Sequence, residues 1–509
     1  MHVLLIALFG SVTAAAIVYA GFEVRLLLGY LAMRRGESRS PTSGELLHES
    51  ALPTVTVQLP LFNEGDVALA IVEAACALDY PADRLKIQVL DDSTDNTPDL
   101  LAPLIARQRA AGIDIVYLRR ETRRGWKAGA LAWGLELSDS EFVAIFDADF
   151  APPPDFLRRG LVGSGAFADP NVAFLQARWT YTNAFQNMLT RAQAILIDRH
   201  FAIQKPYQLI NGRTLAFNGS AGIWRRSAIE AAGGWTADTL CEDLDLSYRC
   251  ALKGLKGVYD FTLTCPSEIP PGILAFKLQQ RRWAKGTAQC LRKLTGEIFR
   301  SRQIRHKFED LYAMAGYVVH PIMLGYLLLW PWVVLEMLPR PMMLASQACM
   351  TIANVTIIAS LFLAASVSKR RAGSSVLKGL GVALLLGMSL MVNTSLAFLG
   401  GCLGRAGVFE RTPKQGRSGI SSVGSAPRLK LHWSIYFEIL FVAYMLWMTY
   451  LLVEADQLFQ ALSSLLFAAS TGFLVLAQIV DRFSAGPRFA RRRPASRVPV
   501  EALGGSSSA

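Results

Sequence analysis

Charge is scarce in this sequence: Asp, Glu, Lys and Arg make up 18% of 509 residues, while 52% are hydrophobic. An ordinary soluble chain carries more charge and a purely membranous one less, so a mixed architecture is expected. The mean hydropathy of +0.30 agrees. Clustered cysteines are also missing. The seven, at 76, 241, 250, 265, 290, 349 and 402, are scattered and odd in number, which excludes a disulfide framework or a cysteine-ligated metal and suits a reducing, cytoplasmic face. Nor is there a basic module interleaved with aromatics or a zinc-ligand spacing, so the net charge of +12 does not imply a nucleic-acid partner. Anchoring in a lipid bilayer with the positive side inside, together with anionic phosphate ligands, accounts for the excess cations.

What the chain has instead is long apolar runs. Residues 3–22, "VLLIALFGSVTAAAIVYAGF", are uncharged and about long enough to cross roughly 30 Å of hydrocarbon. No Lys or Arg precedes them, and Arg25, Arg34 and Arg35 follow, which predicts an anchor with its C-terminal side in the cytoplasm rather than a cleaved signal peptide. Further runs lie at about 312–338, 342–367, 376–400, 434–454 and 457–480. Counting all five as spans leaves the basic loop 401–432 and the tail "RFARRRPASR" outside. If 376–400, with its glycines and Asn393, is interfacial or re-entrant, both basic segments fall inside, and that is the expectation. The last residues, "PVEALGGSSSA", read as a disordered tail.

Between these runs "TVTVQLPLF", "KIQVLDD", "IDIVYLRR", "FVAIFDADF" and "VAFLQARW" are short and rich in β-branched and aromatic residues, with helix-compatible stretches such as 66–79 and 98–111 between the first of them. That alternation predicts an α/β sheet, in which ligands bind beyond the carboxyl ends of the strands. Acids cluster at those ends: Asp91, Asp92 and Asp95 after "IQVL", and Asp147 and Asp149 after "FVAIF". Two carboxylates two residues apart in a turn suit Mg²⁺ or Mn²⁺, although such a pair also serves as a loop cap. "GWKAGAL" places Lys127 beside glycines that let a phosphate approach, or starts a helix with one solvated lysine. "TLCEDLDLSYR" brings Glu242, Asp243 and Asp245 together in an apolar context. A carboxylate there can take a proton from a hydroxyl with its pKa raised by its neighbours; alternatively, the acids complement a helix dipole. In "AFKLQQRRWAKG", residues 275–286, Arg281, Arg282 and Lys285 can neutralise a diphosphate and Trp283 can stack on a sugar ring. An amphipathic helix at the lipid interface would use the same residues. Cations, an aromatic platform and an acidic pair together specify a nucleotide-diphosphate sugar.

As a set, "VQLPLFNE", "QVLDDSTD", "GWKAGAL", "VAIFDADF", "QARWTYTNA", "FNGSAGIWRRSAI", "CEDLDLSYRCALKG", "QQRRWAKG" and "FERTPK" resemble the processive, cellulose-synthase-like branch of glycosyltransferase family 2, nearest to the glucomannan 4-β-mannosyltransferases. The match is dense over roughly 55–295 and loose beyond. The resemblance implies an α/β GT-A-type domain, a Rossmann-like mixed sheet, between an N-terminal transmembrane helix and a C-terminal bundle of transmembrane and interfacial helices. The corresponding boundaries are an anchor over 1–34, a cytoplasmic GT-A domain over 40–272, interfacial helices over 273–310, a membrane region over 311–481 and a basic tail over 482–509. It implies inverting transfer from GDP-mannose or UDP-glucose to an oligosaccharide or polysaccharide acceptor at a bacterial inner (plasma) membrane, with accessory export subunits among its partners. By position, Asp91 or Asp92 would hold the base, Lys127 would contact the diphosphate, Asp147 would belong to the nucleotide-sugar site and, with Asp149, to the metal, and Asp243 would be the general base. Gln279, Arg282 and Trp283 would shape the donor and acceptor sites, with Asn218, Gly219 and Glu242 beside the acceptor. "FERTPK", 409–414, would close over the donor. The chain departs from the family's Thr-Glu-Asp at Cys241, which keeps the base but loses a hydroxyl. Arg493 and Arg497 have the spacing of a cyclic-dinucleotide motif, but too little chain follows for the domain that would carry it, so tail charge is the better reading. A lipid glycosyltransferase making glycosyl-diacylglycerol or glycosylceramide shares the acids and the Gln-x-x-Arg-Trp pattern; "FERTPK" and the match across 170–260 favour a polymer. An inactive export or assembly subunit is the non-enzymatic alternative, and the presence of every expected carboxylate argues against it.

Overall fold

The computed structural model describes residues 2–35, 52–336, 340–368, 374–405, 407 and 431–484. "FERTPK", most of loop 401–432 and the tail from 485 onward lie outside the described residues.

Seven strands form one mixed sheet: β1 (Val55–Leu61), β2 (Leu85–Asp91), β3 (Ile115–Leu118), β4 (Phe142–Ile145), β5 (Val172–Tyr181), β6 (Gly222–Arg225) and β7 (Lys256–Ser267), in the order β3-β2-β1-β4-β6-β5-β7. β1 to β4 pair in parallel, β6 runs antiparallel to both β4 and β5, and β5 pairs in parallel with β7. The β-branched runs are buried because both faces are covered and successive side chains point to opposite faces. Phe142 and Ala144 join the core of Val57, Leu59 and Ile71, whereas Val143 and Ile145 join that of Leu131, Phe174 and Trp224.

The topology gathers the chemistry on one edge. Leu61 is in register with Asp91, so β1 and β2 end together, and β4 ends at Ile145, two residues before Asp147. Because β6 is antiparallel, its beginning lies at this same edge, which brings residues 218–221 there. Neither β6 nor β7 was among the predicted strands. β6 has only four residues, and β7, "KGVYDFTLTCPS", mixes polar and apolar residues over a partly exposed edge.

The predicted 3–22 anchor is part of a longer helix, His2–Arg35, which continues through Glu23 because that carboxylate is 2% exposed and paired with Arg199 and Tyr312. Four helices among the described residues are long and apolar enough to cross a membrane: Val3–Met33, Met343–Val367, Ser434–Glu454 and Leu458–Arg482. Two further stretches are bent pairs, Lys307–Met314 with Val319–Leu335 at 76° and Val376–Ser389 with Met391–Cys402 at 50°. Helices of this number and length suggest a multi-pass membrane protein.

Candidate active site

A cavity of about 180 Å³ opens at the carboxyl edge of the sheet, lined among others by Asp92, Lys127, Asp147, Asp149, Asn218, Gly219, Glu242, Asp243, Gln279, Arg282 and Trp283. Residues as far apart in the chain as Asp92 and Trp283 thus face one space.

Lys127 sits one residue into the Trp126–Glu136 helix, which follows β3. Its Nζ lies 2.6 Å from Asp147 Oδ1 and 3.8 Å from Glu242 Oε1, and donates to Gly219 O at 2.8 Å. Burial alone would lower its pKa; the carboxylates of Asp147 and Glu242 more than reverse that and leave it raised, so it is a fixed cation. Asp147 N donates to Ser220 Oγ at 2.8 Å, which ties the end of β4 to the start of β6. Asp149 Oδ2 accepts from Ser267 Oγ at 2.8 Å.

Cys241 caps the Glu242–Leu252 helix, whose first turn carries Glu242, Asp243 and Asp245. Both the dipole and the site explain acids there. Glu242 is buried, and Asp243, partly exposed to the cavity, has its pKa pushed up to about 7 by burial and by the Glu242 charge, against a hydrogen bond from Leu244 N. Such a carboxyl is poised as a proton acceptor near neutral pH. Gly219 has φ +81°, and a Cβ there would stand 3.1 Å from Asp243 Oδ2. Glycine is needed both for the left-handed backbone and for the close approach.

Gln279, Arg282 and Trp283 lie at i, i+3 and i+4 on the Ile273–Arg300 helix, one face of it. Gln279 is buried, and its Oε1 has no hydrogen-bond partner among the described residues, which leaves it available to a ligand. The other cations of this stretch are outside the cavity lining: Arg281 lies 5.4 Å from the Trp433 ring, and Lys277 is buried against Glu438. Asp91 is also outside it; its carboxylate accepts from Tyr117 Oη at 2.6 Å and Ser93 N at 2.9 Å. Asp92 does line the cavity, in a two-pronged pair with Arg120.

A second cavity, of about 400 Å³, shares Trp179, Asn218, Asp243 and Trp283 with the first. It runs toward the N-terminal helix along Phe22, Arg25, Arg199, Tyr207 and Tyr312. Sequence reasoning missed its polar wall, which includes His200, Gln204 and Lys205, because these residues match no motif. Trp179, the last residue of the predicted run, and Tyr181, the last residue of β5, also line the first cavity and were not assigned a role; aromatics at the end of a strand were the available signal.

No group of three or more His, Cys, Asp or Glu among the described residues is arranged to hold a metal ion. Asp149, with Asp147 beside it, fits a hard cation that takes its remaining ligands from water and a bound phosphate.

The mixed sheet with an acid-lined, cationic pocket at its carboxyl edge defines a GT-A-type fold flanked by membrane-compatible helices. Residues 142–367 match the family described as Glycosyl transferase family group 2. The chain is 45% identical over 265 residues to glucomannan 4-beta-mannosyltransferase 2 of Arabidopsis thaliana, covering 51% of this chain and 49% of the relative. It is 41% identical over 268 residues to glucomannan 4-beta-mannosyltransferase 1 of Oryza sativa subsp. japonica, covering 52% and 51%. These matches span about half the length of each relative. A mannosyltransferase from Pyrobaculum calidifontis, solved in complex with GDP-Man and Mn2+, aligns with a TM-score of 0.49 at 20% identity, over 79% of this chain and 100% of that one. Residues 142–367 are thus similar to the group 2 glycosyl transferases, and about half of the chain is similar to glucomannan 4-beta-mannosyltransferases along about half of their length.

Proposed function

We propose that the protein transfers a hexose from GDP-mannose or UDP-glucose to the growing end of a β-linked polysaccharide, with inversion at the anomeric carbon. The observation that carries this reading is the position of Asp243 where the two cavities meet. The first cavity, with Lys127 and Arg282, suits the donor diphosphate. The second intersperses aromatic rings with charged groups. That lining suits sugars, apolar on their faces and polar at their edges, better than alkyl chains, and favours a polymer over a glycosyl-diacylglycerol or glycosylceramide product. The relatives' names support mannose and a β-1,4 linkage.

In the reaction, the acceptor hydroxyl oxygen bonds to the anomeric carbon as the bond from that carbon to the diphosphate breaks. Asp243 takes the hydroxyl proton, and the nucleoside diphosphate leaves. Lys127 and Arg282 hold the departing charge in place. Trp283 offers a stacking face between the two cavities, and Gln279 Oε1 orients a sugar hydroxyl. A divalent cation held by Asp149 and Asp147 would neutralise charge on the leaving group. The basic residues after the first span support a cytoplasmic position for this site, and the second cavity's contact with the N-terminal helix supports exit of the growing chain among the membrane helices.

The test is Asp243→Asn in membranes supplied with labelled GDP-mannose and UDP-glucose. Polymer synthesis should fall about 100- to 10,000-fold, the usual contribution of a general base. Wild-type synthesis by the variant would remove Asp243 from its role.

A further inference from the structure

The wall shared by the two cavities holds Asn218, and behind it stands a histidine that no motif singled out. His200 begins a single π-helical turn, His200–Gln204, set between the α-helices Met188–Arg199 and Lys205–Ile210. Such widened turns re-aim side chains and often occur at functional positions. His200 Nδ1 lies 2.8 Å from Gln204 Oε1, an atom that only accepts, so Nδ1 carries the proton. Burial and the nearby Lys205 cation bring the His200 pKa down to about 4, so the ring is neutral and Nε2 is a bare acceptor. Asn218 Nδ2 stands 3.1 Å from Nε2 and can donate to it; Asn218 Oδ1, at 3.4 Å, cannot bond to a nitrogen without a proton. The amide therefore has one favoured orientation, with Oδ1 left for another donor.

The backbone around Asn218 is fixed just as firmly. Its N–H donates to Gln176 Oε1 at 2.8 Å, Lys205 Nζ holds Ala216 O, and Ser247 Oγ accepts from Phe217 N at 2.8 Å. The next residue, Gly219, abuts the Asp243 carboxylate. Asn218 lines both cavities, while His200 and Gln204 line only the second.

We infer that His200, with its tautomer set by Gln204, is a positioning residue: it turns the Asn218 carbonyl oxygen toward the acceptor sugar, to accept a hydrogen bond from a hydroxyl neighbouring the one that Asp243 deprotonates. The inference rests on the reading of the second cavity as the acceptor site. It separates two tasks on one sugar, proton removal by Asp243 and orientation by Asn218, and makes His200 selective for the acceptor over the donor.

The experiment uses the full chain in detergent, with GDP-mannose and mannohexaose or UDP-glucose and cellohexaose, and measures donor and acceptor KM separately. His200→Phe, which keeps the ring volume without the nitrogens, should raise acceptor KM about tenfold and donor KM by less than about twofold. His200→Gln, whose amide oxygen can stand in for Nε2, should recover most of the loss. Gln204→Leu, which frees the tautomer, should raise acceptor KM about threefold, and it carries the test if His200→Phe fails to fold. An acceptor KM within twofold of wild type in both His200→Phe and Gln204→Leu, or donor and acceptor KM rising together, overturns the inference. Transfer retained by Asp243→Asn, assayed alongside, would instead overturn the reading beneath it, so the two failures are distinct.

Discussion

Replacing Glu438 by glutamine tests how the helix bearing Gln279, Arg282 and Trp283 is held against the membrane helices. On that helix the Lys277 side chain is 3% exposed, and its Nζ lies 2.6 Å from Oε1 of Glu438, whose side chain is 0% exposed. The same Nζ donates to Gln478 Oε1 at 2.7 Å, and Gln478 Nε2 donates to Glu438 Oε2 at 3.0 Å. Asn393 Nδ2 reaches the Lys277 carbonyl at 3.4 Å. Glutamine keeps the shape at 438 but removes the counter-charge. Lys277 must then remain a buried, uncompensated cation or release its proton. Release from an ammonium of ordinary pKa about 10.4 costs about 1.4 kcal/mol per pH unit, hence about 4 kcal/mol at pH 7.5. That lies within the range of about 3–5 kcal/mol for a buried pair broken on one side. The sign with pH follows. The variant's folded state holds Lys277 neutral while the unfolded state holds it protonated, so the unfolded state binds more protons and stability rises with pH. The deficit should shrink by about 1.4 kcal/mol per unit, to about 2 kcal/mol at pH 9. Denaturant unfolding of the full chain in detergent, followed by tryptophan fluorescence at both pH values, measures it. The double variant Lys277→Met/Glu438→Leu should recover most of the loss, since a packed apolar pair can replace a buried ionic one. A Glu438→Gln deficit below about 1 kcal/mol, or one that does not change with pH, would refute the reasoning.

Three further outcomes are expected. Because Asp243 is raised to about 7 by burial and by Glu242, turnover should fall as pH drops through that value and the base becomes protonated; Glu242→Gln should shift the inflection of kcat/KM to lower pH, and an unmoved inflection would exclude the electrostatic cause. The same raised carboxyl binds its proton more tightly in the folded state, so its contribution to stability declines as pH rises from about 4 toward 7. At Gly286 an added Cβ would stand 2.3 Å from Cys241 Sγ, on the residue that caps the Glu242–Leu252 helix. Gly286→Ala should cost about 1–3 kcal/mol of stability by overpacking. It should also slow transfer by about 10–100-fold through a displacement of Asp243 of about 1 Å; wild-type steady-state rates would show that the two helices yield without moving the base.

Much of the fold was legible in the residues. β1 to β5 fall within runs of β-branched and aromatic residues, and the acids after β2 and β4 pointed to the ligand edge because parallel strands share one carboxyl end. The membrane boundaries were harder to read. The uncharged run stops at residue 22, yet the helix continues to Arg35 because Glu23 finds Arg199, 176 positions away. The run 312–338 is broken by residues 315–318. The cations of "AFKLQQRRWAKG" were read as one cluster, but helical geometry sends Arg282 to the cavity, Arg281 to Trp433 and Lys277 to Glu438.

The sequence by itself determined the alternation of strands and helices, the acids at the strand ends and the chemical kinds of group present, because backbone preference and hydrophobic period act over a few residues. Which of those groups share a space was decided only by the tertiary structure. Lys127 meets Gly219 across 92 positions, His200 meets Asn218 across a π turn, and Lys277 meets Gln478 across 201. Contacts at such separations arise when buried faces pack and buried polar groups must find partners, and local pattern does not encode which partners those are.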